Sequence, residues 1–121
     1  MLGKRICLLE DNDDIREILE YLLHDENYEV FAYANVHDFM LNAKAIKPDL
    51  FLLDVMLPDG NGLEVCQRLK TSQITHTIPV FMMSAHAQVN EMWLSCAAEG
   101  FVSKPFDIFE LINKIDRQMI A

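Results

Sequence analysis

The chain has 121 residues, of which 51% are hydrophobic, and a formal net charge of −9. That length predicts one domain, residues 1–121, with enough chain to bury a core, and the apolar share excludes a disordered segment. No apolar run approaches the ~20 residues that span a bilayer, and the negative charge would repel a phosphate backbone, so neither a membrane nor a nucleic acid is an expected partner.

The N-terminus runs at once into a strand-like segment, Ile6-Cys7-Leu8-Leu9, without the apolar stretch and cleavage site of a signal peptide; a cytoplasmic location is expected. Cys7, Cys66 and Cys96 form no Cys-x-x-Cys pair, so reduced core thiols are expected and zinc is not. An acidic run, Glu10 to Asp14, follows the first strand; Asp13 and Asp14 suit the first turn of a helix. Ile15, Ile18, Leu19, Leu22 and Leu23 then repeat at helical spacing. Val30-Phe31-Ala32 predicts a second strand, and Val36, Phe39, Met40 and Ala43 a second helix.

A third strand, Leu50 to Leu53, delivers Asp54, and the turn residues Pro58-Asp59-Gly60-Asn61-Gly62 come soon after. Val65, Cys66 and Leu69 mark a third helix, with Asn61 three residues before Glu64 in capping-box spacing. Ile78 to Met83 predicts a fourth strand ending at Ser84. Val89, Met92, Trp93, Cys96 and Ala97 predict a fourth helix, whose stripe makes Trp93 a core residue. Phe101-Val102 is a brief fifth strand leading to Lys104-Pro105, and Ile108, Leu111, Ile112, Ile115 and Met119 a fifth helix, with Asp107 three before Glu110.

Strict strand–helix alternation predicts an α/β fold, a doubly wound five-stranded parallel sheet with five helices on its two faces. Crossovers of one hand point every strand's C-terminal end to the same edge, where such folds bind their ligands. Glu10, Asp11, Asp54, Ser84 and Lys104 all fall at that edge. Singly each is an ordinary cap, turn or surface residue; jointly they place carboxylates, a hydroxyl and an ammonium at four strand tips. Packed carboxylates repel unless a cation intervenes, and an oxygen-only set suits Mg²⁺. Lysine and serine opposite them suit phosphoryl oxygens, and an aspartate can itself accept a phosphoryl group.

These motifs resemble the receiver domains of bacterial response regulators: Glu10-Asp11, Asp54 before Met56-x-Pro58-x-Gly60-x-Gly62, Ser84-Ala85, and Lys104-Pro105-Phe106. The resemblance covers essentially the whole chain. It implies a flavodoxin-like sheet in the order 2-1-3-4-5. It implies that Asp54 is the phosphoacceptor, loaded by a sensor histidine kinase or a histidine phosphotransfer protein. It implies Mg²⁺ held by Glu10, Asp11, Asp54 and the backbone carbonyl of Met56, with Glu10 acting through water. Lys104 would contact the phosphoryl group, and its peptide bond to Pro105 is often cis in this family. Ser84 and Phe101 fall at the switch positions; Phe101 lacks the hydroxyl of the tyrosine alternative. Met56 and His86 flank the site where the family tunes phosphate lifetime, and the stretch from Ser84 to Lys104 is slightly shorter than usual.

The expected role is a phosphorylation-dependent signalling switch rather than an enzyme, acting on a downstream effector protein or on an output domain outside the 121 residues. A receiver-like module that signals by protein binding without phosphorylation stays open as the alternative. A haloacid-dehalogenase-type phosphatase would carry Asp-x-Asp after the first strand. A flavodoxin would need amide donors where Glu10 to Asp14 stand.

Overall fold

The computed structural model describes residues 3–85, 96–104 and 106–120. Strands β1 (Arg5–Leu9), β2 (Glu29–Tyr33), β3 (Leu50–Asp54), β6 (Val80–Ser84) and β7 (Gly100–Ser103) form one five-stranded sheet. Between β3 and β6 lie two short strands, β4 (Met56–Leu57) and β5 (Gly60–Asn61), which pair antiparallel with each other. Helices α1 (Asp13–Asp25), α2 (Val36–Ile46), α3 (Gly62–Thr71) and a C-terminal helix (Ile108–Ile120) complete the described residues.

All four strand pairings in the large sheet are parallel, as the alternation predicts. The apolar residues of each central strand split between two cores. Ile6, Leu8, Leu50, Leu52, Phe81 and Met83 face α1 and the C-terminal helix, meeting Leu19, Leu23, Leu111 and Ile115. Cys7, Leu9, Phe51, Leu53, Val80 and Met82 face α2 and α3, meeting Phe39, Ala43, Val65 and Leu69. A strand buried on both faces has no polar side to show, which is why these segments read as unbroken apolar runs.

The five strands of the large sheet lie in the expected order 2-1-3-4-5; numbered along the whole chain it reads β2-β1-β3-β6-β7, because the segment read as a plain turn closes into a hairpin of its own. Met56 pairs with Asn61 and Leu57 with Gly60 around Pro58-Asp59, so two more strands enter the count. The described residues hold four helices. The helix expected on Val89, Met92 and Trp93 lies outside the described residues, as do His86 and the Lys104–Pro105 peptide bond.

The helix starts are set by short polar side chains. Asn12 accepts from the Ile15 N–H at 3.0 Å, Asn35 from Asp38 at 2.8 Å and Asn61 from Leu63 at 2.7 Å. Each satisfies a donor that the first helical turn leaves open. Asn35→Ala is expected to lower stability by about 1 kcal/mol. A lower urea midpoint with an unchanged slope would register it. Among the described residues no helix is long and apolar enough to cross a membrane.

Candidate functional site

The central strand β3 is buried along its whole length, and its last residue is Asp54. Its neighbour β1 ends one residue before Glu10, which is fully buried, while Asp11 is exposed. The sheet reverses its direction of growth between β1 and β3, and the crevice that opens there holds all three carboxyls. One oxygen from each of Glu10, Asp11 and Asp54 can be chosen so that all lie within 4.8 Å of one another.

Lys104 enters from the end of β7. Its ammonium lies 2.6 Å from Glu10 Oε1 and 3.3 Å from Asp54 Oδ2. Its backbone N–H donates to the Ser84 carbonyl at 2.7 Å, which ties the lysine to the tip of β6. Ser84 is the last residue of that strand, buried, and in register with Ser103. Asp54 Oδ1 accepts from the Val55 N–H at 2.9 Å, so both its oxygens are engaged.

Glu10 is fixed on every side. Its Oε2 accepts from the Asn12 N–H at 3.1 Å, and its carbonyl accepts from Arg16 Nη1 at 3.0 Å. Burial pushes the Asp54 carboxyl up from 3.8 to about 6, the Glu10 charge adds to the rise, and Lys104 pulls it partly back. Burial also works against the Lys104 ammonium, but its hydrogen bond to Glu10 and the charge of Asp54 outweigh that and raise its pKa. Glu10 and Asp54 share the Lys104 ammonium with Asp11 close beside them, and the cluster keeps an unbalanced negative charge that a divalent ion would relieve.

The sequence-expected residues separate into two groups. Glu10, Asp11, Asp54 and Lys104 converge directly, and Ser84 sits at the neighbouring strand tip. Met56 opens β4 with its side chain turned to solvent, and Phe101 is buried in the core that faces α2 and α3. Beside Lys104 an apolar cavity of about 380 Å³ is lined by Ile15, Ile18, Leu19, Ala85, Phe106 and Ile108. It explains why Ile18, on the apolar stripe of α1, is half exposed rather than buried.

Two residues that the sequence marks only as turn formers support the site. Gly62 opens α3 and donates its N–H to the Val55 carbonyl at 2.7 Å. A Cβ there would lie 1.9 Å from the Asp54 carbonyl oxygen, so only glycine lets the helix approach this turn. Asp59, at the hairpin tip, accepts from the N–H groups of Val36 at 2.7 Å and His37 at 3.0 Å, binding the hairpin to the start of α2. Those donors hold the Asp59 carboxyl below its ordinary range. The glycine pattern marked Gly62, but nothing local marks what it touches, eight positions earlier.

A family model described as "Response regulator receiver domain" matches residues 6–116. The phosphate regulon transcriptional regulatory protein PhoB of Pseudomonas aeruginosa is 33% identical over 117 residues, covering 95% of this chain and 51% of the relative. The regulatory protein VanR of Enterococcus faecium is 30% identical over 120 residues, covering 98% of this chain and 51% of the relative. The chain therefore spans about half the length of the curated relatives it matches. Among solved structures, response regulator TrrA of Thermotoga maritima, in complex with Mg²⁺-BeF, superposes with a TM-score of 0.83 at 26% identity, covering 95% of this chain and 98% of that one.

Proposed function

Because the chain belongs to the response regulator receiver domain family, we propose that it works as a phosphorylation-dependent switch whose acceptor is Asp54. The observation that carries this reading is the packing of Glu10, Asp11 and Asp54 within 4.8 Å beneath the Lys104 ammonium. The donor set is all oxygen, which fits Mg²⁺, and TrrA, at 26% identity, was solved with Mg²⁺-BeF. Glu10, Asp11, Asp54 and the Met56 carbonyl would hold the ion. It would supply charge neutralisation between the acceptor and the incoming phosphoryl oxygens.

The remaining chemistry belongs to side chains. A carboxylate oxygen of Asp54 attacks phosphorus, and the bond from phosphorus to the donor's imidazole nitrogen breaks, its electron pair leaving with the ring. Lys104, already 3.3 Å from Asp54, offers its charge to the transferred oxygens. The Ser84 hydroxyl is the donor at the next strand tip, and its engagement would favour one arrangement of the segment that carries Phe101. The phosphodonor is a histidine kinase or phosphotransfer protein, and the apolar cavity beside Lys104 gives it a contact next to the acceptor. The recipient is an effector protein or an output domain, and the whole module, residues 1–121, acts in the cytoplasm.

Incubation with acetyl phosphate and Mg²⁺, followed by intact-protein mass spectrometry, tests this reading. Wild type should gain one phosphoryl group, lost when EDTA is present; Asp54→Asn should gain none. No gain with acetyl phosphate or with phosphorylated histidine donors would favour a module that signals by binding alone.

A further inference from the structure

Two of the three cysteines stand apart from the acceptor site and face each other. Cys66 lies on α3 and Cys96 just before β7; both are buried in the core cluster that includes Phe101. Their side chains hydrogen-bond to one another. A second, stronger contact sets this register. Lys70, one turn after Cys66 on the same helical face, ion-pairs with Glu99 at 2.7 Å. Glu99 is itself pinned to β6, its Oε1 accepting from the Val80 N–H at 2.8 Å and its N–H donating to the Val80 carbonyl at 2.9 Å. Cys66–Cys96 and Lys70–Glu99 are thus two rungs between one helix and one chain segment.

We infer that Cys66 and Cys96 form a dithiol that closes into an intramolecular disulfide, a reversible oxidation site bridging α3 and the approach to β7. Proximity is the requirement most cysteine pairs fail, and the contact between these two side chains, one turn from the Lys70–Glu99 ion pair, supplies it. Burial holds Cys66 as a thiol, with the neighbouring Lys70 ammonium opposing it, so the step in which Cys66 closes the bridge is slow, and the pair needs a two-electron oxidant such as a hydroperoxide. Cys96 is 8% exposed and Cys66 is fully buried, which makes Cys96 the sulfur that meets the oxidant. Its sulfur attacks the O–O bond, giving a sulfenic acid and releasing water or an alcohol. The Cys66 sulfur then displaces the hydroxyl, the S–S bond forms, and water leaves with the Cys66 proton. Two electrons pass to the hydroperoxide, and a dithiol reductant returns them. This inference is independent of the phosphoryl-transfer reading.

The full chain is treated with excess hydrogen peroxide, unfolded, alkylated with N-ethylmaleimide and mapped by mass spectrometry without reduction. The expected product is a monomer with a Cys66–Cys96 linked peptide, a fully alkylated Cys7, and reversal by dithiothreitol. Its thermal midpoint should rise by roughly 5–10 °C, because the bridge constrains the unfolded chain. Cys66→Ala and Cys96→Ala should each abolish both the linked peptide and the rise. The wild-type map needs no variant to fold. Methionine oxidation shows that the reagent has reached the protein. Linkage through Cys7 or between chains, or no Cys66–Cys96 link when methionines are oxidised, would overturn the inference.

Discussion

Gly62→Ala is expected to cost roughly 2–4 kcal/mol of stability and to weaken Mg²⁺ binding by ~10-fold or more. The obstruction is backbone. A Cβ at residue 62 would lie 1.9 Å from the Asp54 carbonyl oxygen, 2.9 Å from its carbonyl carbon and 3.1 Å from the Val55 Cα. Nothing there can rotate away, so either α3 retreats or the peptide after Asp54 moves. If α3 retreats, the hydrogen bond from Gly62 to the Val55 carbonyl is lost and the seating of Val65, Cys66 and Leu69 is disturbed. If the peptide moves, Asp54 turns out of the carboxylate cluster. Gly100→Ala provides the contrast, since its Cβ would meet a Phe81 ring carbon at 3.0 Å, and a ring can yield. Urea unfolding and calorimetric Mg²⁺ titration of both variants measure the difference. A Gly62→Ala protein with wild-type stability and metal affinity would show that the close approach is dispensable.

Asp54→Asn should have the opposite sign in EDTA, stabilising the chain by on the order of 1–3 kcal/mol at neutral pH. Burial and the Glu10 charge raise the Asp54 carboxyl from 3.8 to about 6, so the folded state resists the ionised form. For an acid whose pKa rises on folding, the penalty is absent below about pH 4, grows as pH rises, and is complete above about pH 6. The advantage of the variant should therefore open across that window and then level off. Losing the 3.3 Å contact to Lys104 trims the gain without reversing it, because Lys104 keeps Glu10 at 2.6 Å. Adding Mg²⁺ should shrink the difference, since bound cation compensates the ionised cluster in wild type. Denaturant midpoints from pH 4 to pH 8, with and without Mg²⁺, test both statements; a variant less stable than wild type in EDTA would contradict them.

The parts of the fold legible in the sequence are those with a period. Unbroken apolar runs mark strands buried on two faces, and the spacing of Leu19 and Leu23, or of Ile112 and Ile115, marks helices lying on them. Strand ends were placed only approximately. The run Ile78 to Met83 became Val80–Ser84, because Ile78 instead closes a turn by donating its N–H to the Thr75 carbonyl at 3.0 Å. The site was legible because a parallel sheet gathers its strand tips, so residues distant in sequence converge by topology alone. The hairpin β4–β5 was not, since two-residue strands are too short to show alternation. Nor were Asp59 binding α2 or Glu99 binding Lys70: such ties join positions 22 and 29 residues apart with no local signature.

The place of β1 inside the sheet has a consequence for biosynthesis. β1 pairs with β2 on one side and β3 on the other, yet it is made first, and Ile6 must wait for Leu50 to be synthesised before its second edge is covered. A nascent chain ending before residue 50 exposes a bare edge of apolar strand, Ile6 to Leu9, to any extended segment nearby. Stalled or truncated products of this chain are therefore prone to aggregate, whereas loss of β7 would remove only an outer strand. Translation past β3 is the point at which the growing chain ceases to present that edge.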